Sequence, residues 1–347
     1  MAIPIRTGIR KLREEGIGPF TARTCQYLGL PVWNTITSRY PTGTNVFERE
    51  WDLLIVLDSG RVDAFREVAE STVLPEEIGQ IRSVGSASSE WTLQTFREEF
   101  RDEIEKTALV TRNGWPDHVL AENLHNDEEN FESQSQRGFP NWSPVSSDAF
   151  AHYERIQSVA NQDDRIHPQS SHVPHILTDR AISIARREEF DRMILWYMMP
   201  HYKFIADALD WTPGEHSIEE LMDGLEPTRH LRPEEESYGP ARRGEVSAEK
   251  VRELYVANLR LVLEYIEVLL ENVDAERVVI SADHGEAHGE KGVWSHPFGW
   301  PFAPVKTVPW AETTATDEET YEPRYEALER EVNQEEQKQI LKDLGYL

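Results

Sequence analysis

Three short apolar runs, Leu53–Leu57, Met193–Met199 and Val278–Ser281, each stop at a polar group. Continuous apolar runs of that length fit strands buried on both faces of a parallel sheet. Helical patterns lie between them, over Ala64–Ala69, Thr178–Arg187 and Ala248–Asn272. In the last, Val251, Leu254, Tyr255, Leu259, Val262, Ile266, Leu269 and Leu270 mark one stripe. Weaker strands are expected at Ile81–Val84 and Ala108–Thr111, and a helix from Trp91 to Phe100. Strands alternating with helices predict an α/β fold, a mostly parallel sheet with helices on both faces. Such sheets bind ligands at the carboxyl ends of their strands. Here those ends carry Asp58, Pro200-His201 and Asp283-His284.

Charge narrows the function. The chain has 63 Asp+Glu against 36 Lys+Arg, a net charge of −27. A duplex-binding surface needs the opposite sign, so nucleic acid is not expected as a partner. The acids are spread along the chain rather than gathered in a tail, and Lys is rare. That pattern suits a protein soluble in high salt, where screening removes the self-repulsion. No apolar run is long enough to span a membrane. Cys25 stands alone, so no internal disulfide exists, and the N-terminus lacks a signal-length apolar stretch. The expectation is a cytoplasmic chain, or one peripheral to a membrane.

Residues 1–45 differ from the rest. Arg6, Arg10, Lys11, Arg13, Arg23 and Arg39 outnumber Glu14 and Glu15, and Ile5, Ile9 and Leu12 fall at helical spacing. Such a segment either packs on the parent domain or rests on an acidic surface or a membrane interface. Residues 46–315 read as the catalytic domain, with polar insertions at 113–175 and 207–247. Beyond Pro309 the chain looks acidic and loosely patterned. Residues 316–347 are expected to hold only a short helix near Glu335–Leu344.

The segment VVISADHGEAHGEKGVWSHP, residues 278–297, is the most informative. Asp283 and His284 sit side by side just past a buried strand, where both can reach one cation. Mixed oxygen and nitrogen donors suit Zn, Mn or Mg, and Ca less well because it takes oxygen ligands. Gly285 and Gly289 permit a tight path, and His296 returns to the same region. An Asp-His pair alone is as often structural. The other histidines show no ligand spacing, and His288 within the loop is expected to face solvent.

Taken in order, DLLIVLDSGRVDAF at Asp58, WYMMPHYKF at His201, SADHGEAHGE at Asp283–Glu286 and the later His296 resemble the alkaline phosphatase/sulfatase superfamily. The chain looks most like uncharacterised sulfatase-like proteins of halophilic archaea. The likeness covers roughly residues 50–310, in four separated patches. It implies an alkaline-phosphatase-like fold. It also implies a metal-dependent hydrolase or transferase acting on a phosphate or sulfate ester of a small molecule, glycan or lipid-linked substrate. Asp58, Asp283 and His284 would bind a divalent cation. His201 and His296 would contact the transferred group, His296 alternatively a second metal.

Family members place their nucleophile at a helix start after the second strand. Here that stretch is GSASSEWTLQTF, with Ser88 the best alignment and Ser86 and Ser89 close rivals. Helix-terminal amides favour an anion there, although a simple Ser N-cap suits the position equally. Arg61, Lys203 and Lys291 are candidates to hold anionic oxygens, Lys203 foremost because it follows His201. Three departures stand out. The sulfatase Cys/Ser-x-Pro-x-Arg signature is absent, which favours an unmodified Ser. Ser59 replaces the usual second Asp. Tyr197 stands where two-metal members place an Asp, so one metal is expected rather than two. True sulfatase chemistry and a catalytically inactive binding protein are the alternatives.

Overall fold

The computed structural model describes residues 28–120, 134–156 and 174–325. The expected helices near Ile5–Leu12 and Glu335–Leu344 lie outside these residues. A seven-stranded sheet forms the centre: β1 (Leu53–Asp58), β2 (Gly79–Arg82), β3 (Thr107–Thr111), β4 (His152–Arg155), β5 (Arg192–Pro200), β6 (Ala275–Ser281) and β9 (Thr307–Ala315). Its order is β2-β9-β6-β1-β5-β3-β4. The run from β6 through β1, β5 and β3 to β4 is parallel. Only β9 is antiparallel to its neighbours β6 and β2. A small ribbon pairs β7 (Ala287–His288) with β8 (Trp294–Ser295).

Alternation along β1 shows why this sheet is buried on both faces. Leu53, Ile55 and Leu57 enter one core, and Leu54 and Val56 enter the other. The first core is closed by α1 (Val62–Val68), α3 (His175–Arg187) and α4 (Ala248–Leu270). The second is closed by α2 (Ser88–Thr95) and the short helix Trp115–Val119. The expected mostly parallel sheet with helices on both faces is therefore present.

Four sequence expectations need correction. The weak strand lies at Gly79–Arg82, two residues earlier than expected. The helix expected from Trp91 begins at Ser88 and stops at Thr95, with a separate turn over Glu98–Phe100. The chain beyond Pro309 is not loosely patterned, because Thr307–Ala315 is a nine-residue strand filling the gap between β6 and β2. The insertion 113–175 also contains a strand, β4.

Helix α4 does more than cover the sheet. Ser247 caps its start by accepting from Lys250 N at 3.1 Å. Two buried polar side chains on the same helix then hold the loops that carry the strand-end residues. Tyr255 Oη donates to Ser59 O at 2.8 Å and accepts from Arg61 N at 2.9 Å. Asn258 accepts from Ile205 N at 2.9 Å and Ala206 N at 3.2 Å, and donates to Lys203 O at 3.0 Å. The first set fixes the loop after β1, where Ser59 takes a φ of 67°. The second fixes the segment just past His201.

Candidate functional site

Asp58 closes β1, and Asp283-His284 follow β6, its direct neighbour in the sheet. Their side chains meet. Asp283 Oδ1 accepts from Ser59 N at 3.1 Å and from His284 N at 2.8 Å. Asp58 Oδ1 accepts from Ser59 Oγ at 3.0 Å. All three residues are fully buried.

Ser88 occupies the first position of α2 and faces the same cluster. Its hydroxyl lies 2.7 Å from Asp283 Oδ2, 3.3 Å from Asp58 Oδ2 and 3.2 Å from His284 Nε2. The helix start is brought there by the close approach of the preceding loop. A Cβ on Gly85 would sit 2.3 Å from Trp91 N, so no larger residue fits. The rival serines do not share this place. Ser86 Oγ contacts Glu90 Oε2 at 2.7 Å and accepts from Trp300 N at 3.0 Å. Ser89, one residue further round the helix, makes no hydrogen bond to the cluster.

His284 is set by its second nitrogen. Nδ1 lies 2.8 Å from Gly285 O, so it carries the proton and leaves Nε2 as a lone pair. That lone pair faces Asp283 Oδ2 at 3.3 Å and Asp58 Oδ1 at 3.6 Å. Burial pushes the imidazole down to about 4, so it is neutral near pH 7. Burial and the charge of Asp58 together raise the Asp283 carboxyl well above its usual range. Among the described residues, no Lys or Arg hydrogen-bonds or ion-pairs with Asp283. Two buried carboxylates, a hydroxyl and an imidazole lone pair converge here, a donor set suited to a cation.

A second group lies alongside. His201, at the end of β5, places Nε2 3.0 Å from His296 Nε2 and 4.0 Å from Glu286 Oε2. His296 stacks on His284 with centroids 4.2 Å apart and planes at 27°. The Glu286 carboxylate is fully buried, facing His201 and the hydroxyls of Ser59 and Tyr238. Burial and Asp58 raise the Glu286 carboxyl, and burial lowers both imidazoles, His296 further through His284 and His201. In each of the two triads, one donor atom per residue lies within 4.8 Å of the others. Hard oxygen and imidazole donors fit a divalent cation in both.

The structure thus brings together Asp58, Ser88, Asp283, His284, His201 and His296. The candidate cations are placed differently. Asn258 binds Lys203 through its backbone, and no ion pair links the Lys203 ammonium to the cluster. Arg61 Nη1 donates to Glu286 O at 2.6 Å and Glu290 at 2.7 Å, bracing the loop rather than opening into the pocket. Lys291 Nζ lies over the Phe302 ring at 5.1 Å. His288 does not face solvent as expected. It is buried, with its ring edge-on to Tyr255 at 4.9 Å, because the β7–β8 ribbon folds back over α4.

Three residues were missed in the sequence. Asn113, just past β3, donates to Asp58 Oδ2 at 3.1 Å while its own oxygen accepts from Trp115 N at 2.9 Å. Glu286 lay inside the quoted motif without a role. Tyr197 is no substitute for it, because its hydroxyl turns into the core to meet Thr178 Oγ1 at 2.8 Å. Glu90 is fully buried and gathers Ser86 N at 2.7 Å, Gly299 N at 3.4 Å and Trp33 Nε1 at 2.8 Å. Asn113 was detectable by the strand-end logic that found Asp58, while Glu90 had no such signal.

No protein-family model matches the chain, and no curated protein matches it in sequence. Solved structures do. The C-terminal periplasmic domain of the phosphoethanolamine transferase EptC from Campylobacter jejuni is 12% identical, with a TM-score of 0.40 over 76% of this chain and 78% of that one. The soluble domain of lipooligosaccharide phosphoethanolamine transferase A from Neisseria meningitidis is also 12% identical, with a TM-score of 0.40 over 80% of each. A sulfatase-class structure from Bacteroides thetaiotaomicron is 11% identical, with a TM-score of 0.34 over 85% of this chain and 70% of that one. The cytoplasmic expectation is corrected here, because the neighbours include periplasmic domains, those of EptC from Campylobacter jejuni and EcEptC from Escherichia coli. Among the described residues, no helix is long and apolar enough to cross a membrane.

Proposed function

We propose that the chain is a metal-dependent transferase or hydrolase of phosphate or sulfate esters, of the alkaline phosphatase/sulfatase superfamily, with Ser88 as nucleophile. The observation that carries this reading is the position of Ser88 Oγ, within 3.3 Å of Asp283, His284 and Asp58 together. Asp58, Asp283 and His284 would hold the cation, Zn, Mn or Mg. Bound there, it would bring positive charge to the carboxylates and lower the pKa of the serine hydroxyl. Ser88 Oγ attacks the ester's phosphorus, a new O–P bond forms, and the bond to the leaving oxygen breaks. The seryl ester then passes its group to an acceptor hydroxyl or to water.

His201 and His296 supply the proton. Two neutral imidazoles whose Nε2 atoms lie 3.0 Å apart cannot both present lone pairs, so one of the two carries hydrogen. In this reading that hydrogen is the one passed to the oxygen that departs. No cysteine or Pro-x-Arg signature accompanies the serines, which favours an unmodified hydroxyl over formylglycine.

Protein stripped of metal and reloaded with Zn or Mn, in molar salt, is expected to cleave an aryl phosphate or phosphodiester. Asp283→Ala should abolish that cleavage, and equal activity in the variant would remove the assignment. Glu286 favours a second reading with two cations. Its buried carboxylate beside His201 and His296 would supply the group that Tyr197 does not. Metal analysis of the loaded protein separates the two. A ratio near one in both wild type and Glu286→Gln favours the shared proton. A ratio near two that falls to one in Glu286→Gln favours the second ion.

A further inference from the structure

The helix over residues 28–37 buries Leu30 in the second core, but most of its inward face is polar. Its polar residues face the protein. Asn34 is fully buried and donates to Gln134 O at 2.6 Å, Ser135 O at 3.2 Å and Arg137 O at 3.2 Å, while Ser38 Oγ accepts from Asn141 N at 2.9 Å. Apolar residues line its outer face at four-residue spacing: Leu28 is 70% exposed, Val32 62%, Ile36 51% and, one turn past the helix, Tyr40 73%. Phe139 is 81% exposed and adjoins them, since Phe139 N donates to Thr35 Oγ1 at 3.0 Å and Arg39 Nη1 donates to Phe139 O at 2.7 Å. These five are the large hydrophobic side chains left exposed among the described residues, and all belong to one patch. Scattered exposed apolar residues need no explanation, but their confinement to one face does.

Charge selects the occupant. In sequence the patch follows directly on a basic stretch. Residues 1–27 bring Arg6, Arg10, Lys11, Arg13 and Arg23 against Glu14 and Glu15, and Arg39 sits on the patch itself. Five side chains expose on the order of 600 Å², short of the roughly 800 Å² per partner of stable pairs. An apolar stripe that continues an Arg-rich stretch of sequence is instead the two-part signal that holds a helix flat on an anionic bilayer.

We propose that Leu28, Val32, Ile36, Tyr40 and Phe139 form a docking face that seats this protein on an anionic lipid surface. The seat is coupled to the candidate site. Trp33, on the same helix, donates to Glu90 at 2.8 Å, and Glu90 in turn holds Ser86 and the loop after His296.

The test is co-sedimentation of the full chain with vesicles of phosphatidylcholine, with and without 30 mol% phosphatidylglycerol. Wild type is expected to sediment with the anionic vesicles. The double variant V32E/I36E should bind them at least tenfold more weakly, with its thermal midpoint and its cleavage of a soluble aryl ester unchanged. Asp283→Ala should bind vesicles as wild type does, so failure of the face and failure of the catalytic reading give different results. Wild type left in the supernatant, or equal binding by the double variant, overturns the proposal. So does a wild-type dimer that the variant converts to monomer without vesicle binding by either, which would assign the face to a second copy. A fall in thermal midpoint in the variant without loss of vesicle binding would assign it to the chain's own N-terminal residues.

Discussion

Trp33 Nε1 donates to Glu90 Oε1 at 2.8 Å, joining a surface helix to a carboxylate that has no exposed surface. The same carboxylate accepts from Ser86 N and Gly299 N. Glu90→Ala therefore leaves three donors without their acceptor in the interior. The expected loss is about 3 kcal/mol or more, read as a lower urea midpoint at unchanged slope. Glu90→Gln keeps the shape and one acceptor and should recover part of it.

The three serines at the start of α2 are predicted to separate cleanly. Ser88→Ala should lower kcat at least ~10³-fold with the fold intact. Ser89→Ala should change kcat by less than about threefold, since its hydroxyl makes no hydrogen bond to the cluster. Ser86→Ala breaks the contact with Glu90 and Trp300, so it should cost stability more than turnover. Activity lost in Ser86→Ala but kept in Ser88→Ala would move the nucleophile.

Asn113 orients Asp58 rather than touching a reacting group. Asn113→Leu removes one hydrogen bond at 3.1 Å from the Asp58 carboxylate. A ten- to hundredfold weaker cation affinity is expected. Metal titration against a chelating dye reads it directly, and excess metal should restore activity. A loss of turnover that excess metal does not restore would give Asn113 a direct role at the substrate.

Lys306 sets a stability slope at alkaline pH. Its side chain is fully buried, and its ammonium donates to Val84 O at 2.6 Å. Burial pushes it down to about 8, against the pull of Glu90 and with the push of Arg82. Below that value the folded chain must bury a charge. Between about 8 and the ordinary lysine value, the unfolded chain binds the extra proton, so stability rises with pH. The gain from this one group is on the order of 3 kcal/mol across the window. Lys306→Met should flatten that slope in denaturant titrations between pH 7.5 and 10.5.

The parts of this fold written most plainly in the sequence are those whose burial is symmetric. β1, β5 and β6 lie between two cores, so their apolar runs are continuous and do not depend on context. β9 was hidden because Pro309 interrupts it and Glu312, Thr313 and Thr314 face outward near its end. β4 was hidden because none of its four residues is fully buried. The candidate site divides in the same way. Asp58, Asp283, His284 and His201 end strands that are individually recognisable. Asn113 and Glu286 matter only because β3 lies beside β5 and the loop after β6 turns back toward His201, and strand order is not a local property of sequence. Glu90 is buried for reasons that span 57 positions in one direction and 209 in the other.

Tyr255 and Asn258 stand one turn apart on α4, and each holds a different strand-end loop. A deletion or insertion between them would swing one anchor by about 100° relative to the other and uncouple the two loops. Length is therefore under tighter constraint than identity in this stretch. Distant relatives that keep the pocket should keep the three-residue interval even where most other residues have drifted. A search keyed to that interval, together with the distance in sequence from the Tyr to the Asp-His pair, would recover members that residue-by-residue similarity passes over.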